Sequence, residues 1–181
     1  HPLLGLLGMW ISGYITGASR GVVYIRAEYP ESVEAVRTAV EMLRQEKITG
    51  NNIFGSQFNF EFKVIKAQGA YICGEETALL SSIEGQRPEV RVRPPFPVQE
   101  GLFRRPTVVN NVETLANLFY ICTQGGDAYK AIGTVRSTGT KLMSLDSAFN
   151  RPGIYEIDMG SPVNDVTEQL GRGSRRQVNS L

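Results

Sequence analysis

Two short polar stretches hold the side chains best suited to chemistry. Gly69-Ala-Tyr-Ile-Cys-Gly-Glu-Glu-Thr77 follows the apolar, strand-forming run Phe60 to Ile65, and Asn110-Asn-Val-Glu-Thr114 comes about thirty residues later. Each reads as a tight polar turn into a helix. The adjacent carboxylates Glu75 and Glu76 would be stabilised there by the unpaired N–H groups of the first turn and by the positive end of the helix dipole. A helix that follows a strand also starts at the strand's C-terminal edge, where open α/β sheets form their ligand clefts. The chemistry on offer is binding and orienting a ligand through carboxylates, amides and backbone N–H groups. Chemistry through an imidazole is not, because the one histidine is His1.

The elements that must position these residues read as follows. Leu3 to Thr16 is apolar but shorter than the ~20 residues a membrane span needs. It carries Gly5, Gly8 and Gly13, with Gly17 just beyond, which suits a buried helix packed close to its neighbours. It lacks the basic start and cleavage site of a signal peptide. A short strand, Val22 to Arg26, precedes a helix from Pro30 whose stripe is Val33, Val36, Val40 and Leu43. A second strand spans roughly residues 58–67, and the helix opened by Gly74 runs to about Gly85. Pro88, Pro94, Pro95, Pro97 and Pro106 forbid regular structure between Gln86 and Pro106, predicting a long, stiff loop of the kind that is commonly functional. A fourth helix is expected from Asn110 to about Gln124, stopped by Gly125-Gly126. Strands Lys141–Leu145 and Gly153–Ile157 follow as a hairpin, then a helix with Ser161 as N-cap and Pro162 at its first position. The tail Gly171 to Leu181 is polar and expected to fray. The α-β-α-β-α order favours a layered α/β sheet with parallel neighbours and helical crossovers.

Gly69–Thr77, the turn Arg91-Val-Arg-Pro-Pro-Phe-Pro97 and Pro106-Thr-Val-Val-Asn-Asn-Val-Glu-Thr-Leu115 together resemble the FMN-domain signature of the NADH-oxidising flavoprotein subunit of respiratory complex I. The same resemblance covers the diaphorase subunits of NAD-reducing hydrogenases and of some formate dehydrogenases. It runs over nearly the whole chain, with the three motifs in the family's order. The fold class it implies is α/β: a layered FMN-domain sheet with helical crossovers, then the first half of a ubiquitin-like (β-grasp-type) module. The implied domains are residues 1–133, a partial FMN- and NADH-binding domain, and 138–181, the start of the ubiquitin-like module of SLBB type with a frayed tail. The implied activity is hydride transfer from NADH to FMN, with electrons leaving through iron–sulfur clusters of a larger complex. The implied location is cytoplasmic, including the inner face of a membrane as a peripheral part of that complex.

Such a reaction needs flat rings held in contact and phosphates anchored, rather than an acid, a base or a metal from the protein. By the resemblance, Tyr71, Gly74 and Glu75 line the flavin and Glu76 lies towards the nicotinamide. Asn110, Asn111 and Thr114 match polar contacts to the ribityl-phosphate side. Arg93, where the family often has lysine, would serve the nucleotide, and Phe96 either stacks on a ring or fills core. Simpler readings stand beside these. Glu75 and Glu76 would complement a helix dipole in any protein, and Asn110 with Glu113 three residues on is a capping-box arrangement, which stabilises a helix start by ~1 kcal/mol. Cys73 reads as a small core residue, and Arg91, Arg104 and Arg105 as surface charge.

In the family, a glycine-rich phosphate loop and an acidic Asn-x-Asp-Glu segment precede the position of His1, and a cysteine quartet for an iron–sulfur cluster lies near the C-terminus. This chain has none of the three, so it is expected to hold at most half of a flavin site and to be inactive alone. A non-catalytic interaction piece of such a complex is the alternative reading. Composition adds limits. With 181 residues, 41% of them hydrophobic, there is enough apolar material for a core. A net charge of +1 argues against a nucleic-acid surface. Cys73 and Cys122 have neither disulfide nor zinc spacing, which fits a reducing compartment.

Overall fold

The computed structural model describes residues 1–68 and 70–175. Gly69, the first residue of the acidic motif, and the tail after Arg175 lie outside the described residues. The chain divides into two compact units, His1–Phe119 and Tyr120–Leu181.

The first unit is built around α1 (Pro2–Thr16), which opens with proline in its first turn and closes at Gly17 in the left-handed region, φ 72°. Its glycines do what their spacing predicts. A Cβ on Gly8 would sit 1.8 Å from the carbonyl oxygen of Leu115, and one on Gly13 would sit 2.3 Å from the Phe60 ring. The bare backbone of α1 therefore packs against the first turns of α4 (Val112–Gln124) on one side and against an aromatic core residue on another. No helix among the described residues is long and apolar enough to cross a membrane.

Strand β1 (Arg20–Arg26) pairs in parallel with β2 (Glu61–Ala67), in register from Arg20 opposite Glu61 to Arg26 opposite Ala67. The crossover is α2 (Pro30–Gln45), which buries Val33, Ala39, Val40 and Leu43. Of these, Ala39, Val40 and Leu43 meet Leu6, Ile53, Phe60 and Phe62 in one core cluster, with Val36 and Trp10 packed on its edge. The second strand starts later than its apolar run suggests. Phe60 pairs with Gly50 in an antiparallel bridge instead, and the Phe58 carbonyl accepts a hydrogen bond from the Ile53 N–H at 2.9 Å. The rings of Phe58, Phe60 and Phe62 thereby pack into the core, Phe60 most completely at 1% exposure.

Helix α3 (Glu76–Ile83) follows a 3-10 turn, Tyr71–Gly74. The proline-rich segment has no strand or α-helix, but Leu102–Arg104 forms a 3-10 turn with Phe103 and Arg104 at φ 50° and 59°. Helix α4 begins at Val112, two residues later than expected. As expected, α4 stops at Gln124, before Gly125 at φ 91°, and a short helix, α5 (Gly126–Lys130), starts directly after that glycine.

In the second unit, β3 (Thr140–Leu145) and β4 (Gly153–Asp158) form the expected antiparallel hairpin. The helix after it differs. Ser161 is no N-cap: its hydroxyl donates back to the Asp158 carbonyl at 2.8 Å, closing a turn onto the end of β4. The helical segment that follows is π-helical over Asp165–Leu170, and the Gly171 N–H reaches the Val166 carbonyl at 3.0 Å. The architecture is a mixed α/β arrangement of helices with two small sheets.

Candidate functional site

Beyond the end of β2, the 3-10 turn Tyr71–Gly74 is closed by the Cys73 N–H to the Ala70 carbonyl at 3.0 Å and the Glu75 N–H to the Ile72 carbonyl at 2.9 Å. The turn lifts the Tyr71 ring clear of the protein, 96% exposed. A Cβ on Gly74 would meet nothing within 4 Å, so the surface beside it is open.

Glu75 is the N-cap of α3 in extended conformation. One carboxylate oxygen accepts from the Thr77 and Ala78 N–H groups, both at 2.9 Å, and from the Thr77 hydroxyl. The capping reading is thus correct for Glu75. Its other oxygen is bonded to the Arg93 guanidinium, which also pairs with Glu76 at 3.0 Å. One arginine thereby forks across both carboxylates, a geometry lysine could not reproduce. Burial pushes the Glu75 carboxyl up, but the hydrogen bonds from Thr77 and Ala78 and the nearby Arg93 charge outweigh it and hold the group below the usual glutamate range.

The loop after α3 is tied to the helix by residues whose types alone gave no signal. Thr77, 2% exposed, donates to Glu75 and accepts the Arg91 backbone N–H at 2.9 Å. Arg91 is not surface charge. Its Nε donates to the Ser81 hydroxyl at 3.0 Å and its Nη2 to Glu84 at 2.7 Å. The acceptors for both its backbone N–H and its guanidinium lie on α3 or at its end. The only advance sign of this was the two-residue spacing between Arg91 and Arg93.

Phe96 is half exposed and so does not fill core; its N–H is held by the Gln99 side chain at 3.1 Å. Cys73 is buried, as expected. Burial raises its thiol pKa, yet hydrogen bonding to Tyr24, the Ala70 backbone and Ser82 leaves it below the ordinary value. The Tyr24 hydroxyl lies 2.9 Å from the Ser82 hydroxyl, pinning the end of β1 to α3.

Asn110, Asn111 and Thr114 lie at the start of α4, all three exposed. Among the described residues the side chains of Asn110 and Asn111 make no hydrogen bond, so neither caps α4 and the capping-box expectation fails. The helix starts after both of them, and the Leu115 N–H takes the Asn111 backbone carbonyl at 3.2 Å. The structure joins Glu75, Glu76 and Arg93 directly. No hydrogen bond among the described residues joins them to the asparagines. An open depression of ≈ 490 Å³, lined by residues such as Lys47, Thr49, Asn52 and Phe54, includes none of the residues singled out from the sequence.

Residues 1–120 match the Nuo51 FMN-binding domain. The chain belongs to that family. The NADP-reducing hydrogenase subunit HndC of Solidesulfovibrio fructosivorans is 45% identical over 165 residues, covering 91% of this chain and 34% of that protein. An NADH-quinone oxidoreductase subunit of Aquifex aeolicus is 43% identical over 173 residues, covering 96% of this chain and 41% of that one. The alpha subunit of the NAD-reducing hydrogenase HoxS of Cupriavidus necator is 41% identical over 178 residues, covering 98% and 30%. A crystal structure of an NAD+-reducing NiFe-hydrogenase in the H2-reduced state superposes with a TM-score of 0.81 at 34% identity, over 92% of this chain and 28% of that one. This chain spans between 30% and 41% of the length of the three protein relatives.

Proposed function

We propose that this chain forms part of an NADH-oxidising flavoprotein subunit, which passes electrons to the iron–sulfur proteins of a multi-subunit redox complex. The observation that carries the proposal is the fork of Arg93 across Glu75 and Glu76, beside the exposed Tyr71 ring and the open face at Gly74, in a chain of an FMN-binding family.

The residues present fit one edge of a flavin. A planar ring needs a flat approach and an aromatic neighbour, and the missing Cβ of Gly74 and the Tyr71 ring offer both. A ribityl chain needs neutral polar contacts, and the exposed amides of Asn110 and Asn111, which make no hydrogen bond among the described residues, suit it together with the Thr114 hydroxyl. Bound FMN would supply the acceptor for a hydride from NADH. Glu76 and Arg93 would orient the nicotinamide nucleotide, Arg93 fixing the direction of the carboxylate. Phe96 would shield the ring from water. Glu75 would hold the turn in shape, since both its oxygens are already engaged. No imidazole is needed in this scheme.

We read residues 138–181 as the first half of a ubiquitin-like module. The hairpin followed by a helical segment supports this, as do the exposed apolar Ile154 and Val163, positions that further strands would cover in such a module.

The test is NADH titration of the full-length flavoprotein, wild type against Glu76→Gln, followed by flavin absorbance. The variant should keep its flavin and need about tenfold more NADH for half reduction, on the order of 1.4 kcal/mol. If half reduction comes at the same NADH concentration and hydride transfer runs at the same rate, Glu76 has no part in nucleotide orientation.

A further inference from the structure

We infer that Glu84, at the far end of α3 from the Glu75–Glu76 pair, is a positioning residue that sets how Arg93 is presented. This rests on the functional reading above. Glu84 has a side chain only 11% exposed, although it sits at a helix end where carboxylates are ordinarily solvated. Both its oxygens are engaged across the proline-rich loop. One takes Arg91 Nη2 at 2.7 Å, near the start of the loop, and the other takes the Phe103 N–H at 2.8 Å, near its end. Phe103 itself is held at φ 50°, in the left-handed region that phenylalanine rarely adopts. An ordered contact at that N–H is what such a conformation requires.

The loop has few other means of staying put. Its five prolines remove backbone donors and bar regular pairing. Arg91 therefore acts as the pin, with its N–H on Thr77, its Nε on Ser81 and its Nη2 on Glu84, all on α3 or at its end. Only Val92 separates Arg91 from Arg93, and both guanidinium groups meet carboxylates of α3 and its two ends. Fixing Arg91 against α3 limits how far Arg93 can move from that helix, where it meets Glu75 and Glu76. Thr77 links the two ends, since the hydroxyl that accepts the Arg91 N–H also donates to Glu75. Without a charged group at Glu84 the pin loses its strongest acceptor, and Arg93 is free to leave the pair.

The experiment uses the full-length flavoprotein with Glu84→Gln and, in parallel, Arg91→Lys, which keeps the charge but cannot reach both Ser81 and Glu84. Amide hydrogen exchange is read first, without nucleotide. Exchange should accelerate about tenfold or more in residues 89–104 and stay unchanged in α1 and β2. NADH kinetics are read second: KM should rise at least about fivefold, while kcat stays within about twofold. Unchanged exchange in the loop, or acceleration spread over the whole first unit, overturns the proposal, as does a fall in kcat at constant KM. Because exchange is read without nucleotide, it judges Glu84 even if wild-type flavin is not reduced by NADH, an outcome that would count against the functional reading alone.

Discussion

Gly8→Ala should destabilise the first unit by about 3 kcal/mol, lowering its melting temperature by roughly 10 °C. The added methyl would stand 1.8 Å from the Leu115 carbonyl oxygen and 2.5 Å from its carbonyl carbon. Both are backbone atoms, so no rotamer change relieves the overlap. Helices α1 and α4 must move apart, and the contacts around Leu6 and Leu115, both buried, loosen with them. Alanine's better helix propensity returns at most ~1 kcal/mol, too little to offset the clash. Gly74→Ala is the matched control, since its Cβ would meet nothing within 4 Å; it should leave the melting temperature almost unchanged. Calorimetry on the two variants checks this. Equal melting temperatures would mean that α1 does not pack on α4 as described.

The second large effect is functional. Arg93→Glu in the full-length flavoprotein should weaken NADH binding about a hundredfold, on the order of 2.7 kcal/mol. The substitution replaces the cation that bridges Glu75 and Glu76 with a third carboxylate. Like charges about 4 Å apart repel by up to about 4 kcal/mol at an effective dielectric of about 20, and partial exposure lowers that figure. The loop relieves the repulsion by swinging the new carboxylate away, which removes the contact that steadies Glu76. The fold survives, because Glu75 still caps α3 through the oxygen that faces Thr77 and Ala78. Arg93→Lys keeps one contact and should lose about tenfold, on the order of 1.4 kcal/mol. Equilibrium titration of NADH, alongside circular dichroism to verify helix content, reads both. Wild-type affinity in Arg93→Glu would remove the arginine from the nucleotide site.

The features legible in the sequence were those set by local pattern. The stripe of α2, the glycines of α1, the parallel pairing across a helical crossover and the late hairpin all follow from periodicity and turn chemistry. The acidic start of α3 was legible too, because a carboxylate at an N-cap leaves a local signature. What escaped was decided by contacts distant along the chain. Arg91 resembles any surface arginine until the loop folds back to Ser81 and Glu84. Asn110 with Glu113 matched a capping box, yet the helix begins beyond both asparagines, at Val112. Ser161 and Pro162 have the right types for a helix start, but the serine hydroxyl turns back to the end of β4. For Arg91 and Ser161 the side chain had two feasible partners, and only the folded chain selects between them.

A diffraction structure of the full-length flavoprotein with bound FMN would test the central claim most directly. The account predicts the isoalloxazine against Tyr71 and Gly74, with Asn110 or Asn111 hydrogen-bonded to the same FMN molecule and Arg93 still forked across Glu75 and Glu76. A flavin bound elsewhere, for instance in the depression beside Thr49 and Phe54, with packed protein separating Glu75 from Asn110, would contradict it.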